Sequence, residues 1–229
     1  KHGAADIVYA RNVIPHVKEI HSVISGIEIL LSKNGVGIIE FHNAGLLLTE
    51  LHYDYIYHEH LFYFTLTTID ALLKKHNLFI FDISVSPISG GSWVIYFSKN
   101  LRDKTRSLII AQNSEIEIKN NHYQSWVEFS INTKNHSKKL KEIVQNQVKN
   151  HGKIVAYGAS ARSSTLLNYC GINSEHISVV IDKNPLKHRL ITAGSSIPIV
   201  SYKDGLKFVE DSKVILLLAW NFRDEIIHE

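Results

Sequence analysis

Ala5-Asp6-Ile7-Val8-Tyr9-Ala10 opens the first regular segment of the chain. A short apolar run of this length suits a strand buried on both faces. Arg11-Asn12-Val13-Ile14-Pro15-His16 follows, with Pro15 where the first turn of a helix tolerates a missing N–H. Val17, Ile20, Val23, Ile24, Ile27, Leu30 and Leu31 then recur at steps of three and four, the pattern of an amphipathic helix. Asn34-Gly35 should end that helix, and residues 36–41 read as the next strand. Strand, helix and strand joined by short links form the unit of a parallel α/β sheet.

Outward from this unit, residues 42–60 lose periodicity and fill with His, Tyr and acidic side chains, as in a long loop or short irregular helices. Residues 67–76 are predicted helical, with Thr67 or Thr68 able to cap. Residues 78–86 and 92–98 read as an antiparallel pair that closes the sheet. Residues 101–150 are polar and Lys/Asn-rich, with Trp126, Phe129, Leu140, Ile143, Val144 and Val148 near helical spacing; they predict a long or broken helix. A second strand–turn–helix follows at residues 153–169, then strands at 177–181 and 214–219. The expected fold is therefore α/β, with one sheet over residues 1–100, a helical connector over 101–150 and a second Rossmann-like domain over 151–229.

Composition narrows the classes. The chain has 229 residues, 45% hydrophobic and 21% charged, which excludes disorder, collagen and coiled-coil arrays and allows one large domain or two smaller ones. A net charge of +3 is too small to argue for nucleic acid. No apolar run approaches the 18 or so residues of a membrane span, and no secretory leader opens the chain. Cys170 is the only cysteine, which excludes an internal disulfide and a Cys-based zinc site. These features read as cytosolic. The first residue is Lys1 rather than Met, and the last lies within a helical pattern, so the chain reads as part of a longer protein.

Three groups could carry chemistry. In Tyr55-Ile56-Tyr57-His58-Glu59-His60, an imidazole can take up and return a proton near neutral pH, a carboxylate can orient it, and a tyrosine hydroxyl can donate to a developing oxyanion. At turn or helical spacing Tyr57 and His60 face one way; on a strand, His58 and His60 would pair instead. The alternative is a loop in a chain with 14 histidines. Asn12 and His16 follow the first strand four residues apart, at the strand end where α/β sheets bind ligands, or else serve as a structural cap. Gly158-Ala159-Ser160-Ala161-Arg162 could cradle a phosphate at a helix N-terminus. Asp182, at the end of the next strand, resembles a ribose-binding acid, but Gly-x-Gly-x-x-Gly is absent. A tight turn without ligand explains that segment equally well.

Ala10-Arg11-Asn12-Val13-x-x-His16, Ile56-Tyr57-His58-Glu59-His60, Gly90-Gly91-Ser92, Tyr157-Gly158-Ala159-x-Ala161, Leu166-Leu167-Asn168-Tyr169-Cys170-Gly171-Ile172, Asp182-x-Asn184-Pro185 and Leu217-Leu218-Ala219-Trp220-Asn221-Phe222 occur in this order. Together they resemble the S-adenosylmethionine (SAM)-dependent C-methyltransferases of deoxysugar biosynthesis, which methylate C3 of nucleotide-linked 4-keto sugars. The resemblance implies the second half of a class I methyltransferase domain followed by a Rossmann-like domain. It also implies an N-terminal zinc domain and a Gly-rich SAM loop, both outside this chain. By position it makes His60 the base that forms an enolate, Glu59 its partner and Tyr57 a donor to substrate. His16 would line the same pocket, Arg11 and Asn12 the cofactor side, and Ser160, Arg162, Asn168 and Tyr169 the sugar nucleotide. Arg162-Ser163-Ser164 replaces the Lys-Gly-Asn common in such enzymes. The rival readings are an NAD-dependent sugar-nucleotide enzyme and a non-catalytic nucleotide-sugar binding module.

Overall fold

The structure, a computed structural model, describes residues 3–228. Its contacts divide it into two compact units. One is the chain up to His52 with His58–Phe129; the other is Tyr53–Tyr57 with the chain from Ser130 onward.

In the first unit, β1 (Ala5–Arg11) and β2 (Leu31–His42) run parallel, joined through a 3-10 turn at Ile14–His16 and helix α1 (Ile20–Leu30). After α2 (Gly45–Glu50) and α3 (Leu66–Lys74) come β3 (Phe79–Ser86) and β4 (Ser92–Ser98). Strand β4 is antiparallel to both neighbours, giving the order β1-β2-β4-β3. The α/β class and the closing antiparallel pair are as expected. Alternation puts Ile39, Phe41, Ile95 and Phe97 on one face, where Ile24, Ile69 and Leu73 cover them in a core closed to water.

Several sequence expectations need correction. Strand β1 lies at the sheet edge, and Ile7 and Tyr9 are more than half exposed, so it is not buried on both faces. Pro15 belongs to the separate 3-10 turn, and α1 starts only at Ile20. Asn12 has φ +50°, so it and His16 do not stack on one helical turn. Asn34 and Gly35 lie within β2, where the register against β1 slips, rather than ending the helix. The cap of α3 is Thr65, which exchanges hydrogen bonds with Thr68 in a capping box.

Residues 101–150 form two helices, α4 (Arg106–Ile118) and α5 (Tyr123–His151). Helix α4 packs within the first unit, where Glu115 accepts from the N–H groups of Leu66 (2.6 Å) and Thr67 (2.7 Å) at the start of α3. Most of α5 belongs to the second unit.

The second unit continues with β5 (Ile154–Tyr157), α6 (Ala161–Cys170), β6 (Ile177–Ile181), β7 (Ile199–Val200), α7 (Tyr202–Asp211), β8 (Ile215–Leu217) and α8 (Arg223–Ile227). All four strands are parallel, in the order β7-β6-β5-β8. The order reverses between β5 and β8, and such a reversal opens a crevice at the carboxyl ends of the strands. Gly158 follows β5 at φ +98°, and a Cβ there would stand 2.4 Å from that of Ala219, so only glycine fits. Among the described residues no helix is long and apolar enough to cross a membrane.

Candidate functional site

In the first unit the turn after β1 is clipped to residues 59–62. The Pro15 carbonyl accepts from the N–H groups of Leu61 (2.9 Å) and Phe62 (3.2 Å). The ring of His16 donates from Nδ1 to the Glu59 carbonyl at 2.8 Å. A carbonyl can only accept, so this bond places a proton on Nδ1. The ring of His60 is buried, with its centroid 4.8 Å from that of His16 and 6.2 Å from that of Tyr63. The fold thus brings together two imidazoles that stand 44 residues apart in sequence. Residues 56–62 are an irregular turn, neither helix nor strand, with the Glu59 side chain exposed.

At the end of β1, the Asn12 N–H donates to the Glu40 carbonyl, and the half-exposed Arg11 pairs through Nε with the Glu40 carboxylate at 2.9 Å. Glu40 is 3% exposed, also accepts from the Tyr9 hydroxyl, and has no hydrogen-bond partner for Oε1 among the described residues. Loss of hydration, then the Glu40 carboxylate, raise the pKa of the Tyr9 phenol. No sequence pattern marks Glu40, nor His42 and His52, whose buried rings meet at 3.3 Å (Nε2 to Nδ1) with Glu50 3.5 Å beyond. Periodicity could not mark them, because their burial depends on contacts remote in sequence.

Tyr57 belongs to the short segment Tyr53–Tyr57 in the second unit, where its ring meets that of Tyr55 edge-on. The same segment carries Asp54, buried and bound by Arg162 through Nε (2.9 Å) and Nη2 (3.2 Å) and by Trp220 Nε1 (3.0 Å). The Arg162 guanidinium stacks on Trp220 at 4.5 Å and Tyr55 at 5.1 Å. Tyr53 shares its hydroxyl with His136 Nδ1 (2.9 Å) and Cys170 Sγ (3.4 Å), and burial pushes the pKa of this phenol well up.

Ser160 caps α6 in a capping box with Ser163. It lines a cleft of about 300 Å³ beyond β5 and β8, with Asp182, Lys183, Lys187, Phe222 and Glu225. The Asp182 carboxylate accepts from the Ala159 and Asn184 N–H groups, each at 2.8 Å, and from Lys187 Nζ at 3.2 Å. Asn168 donates to the carbonyls of Ser164 and Ala193, and the Tyr169 hydroxyl lies 3.3 Å from Thr133 Oγ1.

Among the described residues no group of three or more His, Cys, Asp or Glu could hold a metal ion. In the first unit, one imidazole with an assigned Nδ1 proton lies against a second, a pair that can move protons. In the second unit, taken by itself, the Tyr53 phenol is buried against His136, Cys170 and Tyr169.

A family profile described as "C-methyltransferase C-terminal domain" matches residues 87–229. The C-methyltransferase NovU of Streptomyces niveus is 31% identical over 232 residues, covering 99% of this chain and 54% of that protein. The chain therefore spans about half the length of this relative. Among solved structures, magnesium protoporphyrin IX methyltransferase (ChlM) from Synechocystis PCC 6803, crystallised with SAH, aligns with a TM-score of 0.34 at 15% identity, over 44% of this chain and 47% of that one.

Proposed function

We infer the function from one premise: the chain belongs to the C-methyltransferase family. We propose that it forms the second half of a SAM-dependent C-methyltransferase that acts at carbon, at C3, of a nucleotide-linked 4-keto deoxysugar. The observation that carries this is the contact of His16 with His60 at the end of the first unit's β1.

In this reading His60 removes the proton beside the ketone. The Nδ1 proton of His16 is held by the Glu59 carbonyl, so the neutral form of that ring would offer its Nε2 lone pair to share charge or hold a water. Glu59 supports the charged imidazole, and the Tyr57 hydroxyl donates to the enolate oxygen. SAM, when bound, supplies an electrophilic methyl group. Arg11 and Asn12 would hold one edge of it, and the unpartnered Glu40 Oε1 beside them fits a donor on that molecule. The resemblance would place zinc in an N-terminal domain, and it assigns none of this chain's residues to that metal. Ser160 and the cleft beyond β5 would receive the sugar nucleotide, with Asn168 and Tyr169 shaping α6 behind it. A cytosolic setting suits the single buried thiol of Cys170. The NAD-dependent alternative is weakened because Asp182 already accepts from three donors.

The test uses full-length protein, methyl-labelled SAM and a panel of nucleoside-diphosphate-linked 4-keto-6-deoxyhexoses. Label should reach carbon, and His60→Asn should lower the rate about 10²–10⁴-fold. In D₂O without SAM, the parent should exchange the proton beside the ketone and His60→Asn should not. Exchange that survives the substitution removes His60 from the base role; no label on any keto sugar favours a binding module.

A further inference from the structure

The segment Tyr53–Tyr57 is a short strap whose flanking residues, His52 and His58, belong to the first unit while it belongs to the second. It is fastened at both ends of α6. At the C-terminal end the Tyr53 hydroxyl meets Cys170 and His136, and its ring lies 5.1 Å from that of Tyr169. At the N-terminal end Asp54 takes two bonds from Arg162 and one from Trp220. Arg162 and Asp54 have side chains only 11% and 6% exposed, so water competes weakly for this ion pair. The guanidinium also lies against the face of Tyr55, whose ring meets that of Tyr57 at 6.3 Å. A continuous set of contacts therefore runs from Arg162 through Asp54 and Tyr55 to the Tyr57 phenol.

We propose that Arg162 and Asp54 are positioning residues: their ion pair sets the strap so that Tyr57 presents its hydroxyl to the substrate ketone. This rests on the role given to Tyr57 above. It assigns the guanidinium to the protein's own carboxylate, where the family resemblance alone would turn it to the sugar nucleotide. A planar fork with two faces suits this place, since it bonds Asp54 edge-on while stacking on both Tyr55 and Trp220. Lysine could keep the charge but neither the paired bonds nor the stacking.

The test compares Arg162→Lys, Arg162→Met, Asp54→Asn and the double variant Asp54→Asn/Arg162→Met in the full-length protein, with Tyr57→Phe alongside. Rates are measured with labelled SAM and the keto-sugar panel, stability by thermal melting, and strap order by ¹⁹F NMR of 3-fluorotyrosine at position 57. Misplacement of a reacting group can lower a rate about 100-fold. Arg162→Met should therefore lower kcat by about 10- to 100-fold with a smaller change in KM, and Arg162→Lys should fall between it and the parent. The double variant leaves no buried charge alone, so it should regain most of the melting temperature lost by either single variant. Its kcat should stay low and its ¹⁹F line displaced. If kcat returns together with stability, the pair is structural and the proposal fails. If Tyr57→Phe retains full kcat, the role of Tyr57 fails first. If Tyr57→Phe loses activity while folded Arg162 and Asp54 variants keep theirs with an unmoved ¹⁹F line, only the positioning claim falls.

Discussion

At the scale of single residues, Tyr53 illustrates what burial does to a phenol. Its folded pKa is raised, by burial first and by the Cys170 contact second. An unfolded Tyr53 would ionise near the ordinary value of 10, while the folded one keeps its proton. Stability gained this way is whole below pH 10 and drains away above it, because the unfolded state then binds fewer protons. Tyr53→Phe removes that loss. The variant should melt lower near pH 8, by about 1 kcal/mol for the missing hydroxyl contacts. Its stability should then decline less steeply than the parent's above pH 10, by up to about 1.4 kcal/mol per pH unit. Parallel curves from urea titrations at pH 8 to 11 would contradict this. Little of it was legible in the sequence. The motif Tyr57-His58-Glu59-His60 stood out by composition, but the partners of this region, His16, His136 and Arg162, lie tens of residues away and only tertiary packing brings them in.

At the scale of elements, run length and turn chemistry revealed most strands, because β3, β4 and β6 are apolar runs between polar links. Some of the failures arise because close packing reuses residues which read locally as breakers. Helix α7 went unread with Gly205 at its centre. That glycine brings the helix against β6, and a Cβ there would stand 2.5 Å from the Ile181 side chain. Strand β7 is two residues long beside Pro198, too short for any alternation to show. Gly158 was legible as a turn, though not as the contact between β5 and the end of β8. Gly158→Ala has both a left-handed φ and a clash with Ala219, neither of which a flexible side-chain tip can relieve. It should cost about 1–3 kcal/mol in thermal melts. Ser160→Ala, which removes only the cap, should cost about 1 kcal/mol. If the two are equally mild, the close approach of these strand ends is not rigid.

At the scale of the whole molecule, the two four-stranded sheets of the α/β class were legible as two strand–helix–strand patterns, whereas the route of the chain between them was not. A boundary placed near residue 100 or 150 by composition assigns every residue before it to one side. The structure instead gives Tyr53–Tyr57 to the second unit and α4 to the first. The reason is energetic. Arg162 is 11% exposed, and a buried guanidinium without its carboxylate is strongly unfavourable, by about 3–5 kcal/mol when one partner of such a pair is removed. The second unit therefore needs a segment that its own contiguous sequence lacks. A fragment of residues 130–229 should fold weakly, with Arg162 and the Trp220 indole left without Asp54. A synthetic peptide of residues 51–59 should bind it and raise its melting temperature in a concentration-dependent way, since a ligand of the folded state alone stabilises by mass action. The same peptide with Asp54→Asn should do so far less. Should the fragment melt as cooperatively and at the same temperature with either peptide or neither, the strap would be an ornament of the second unit and not part of its fold.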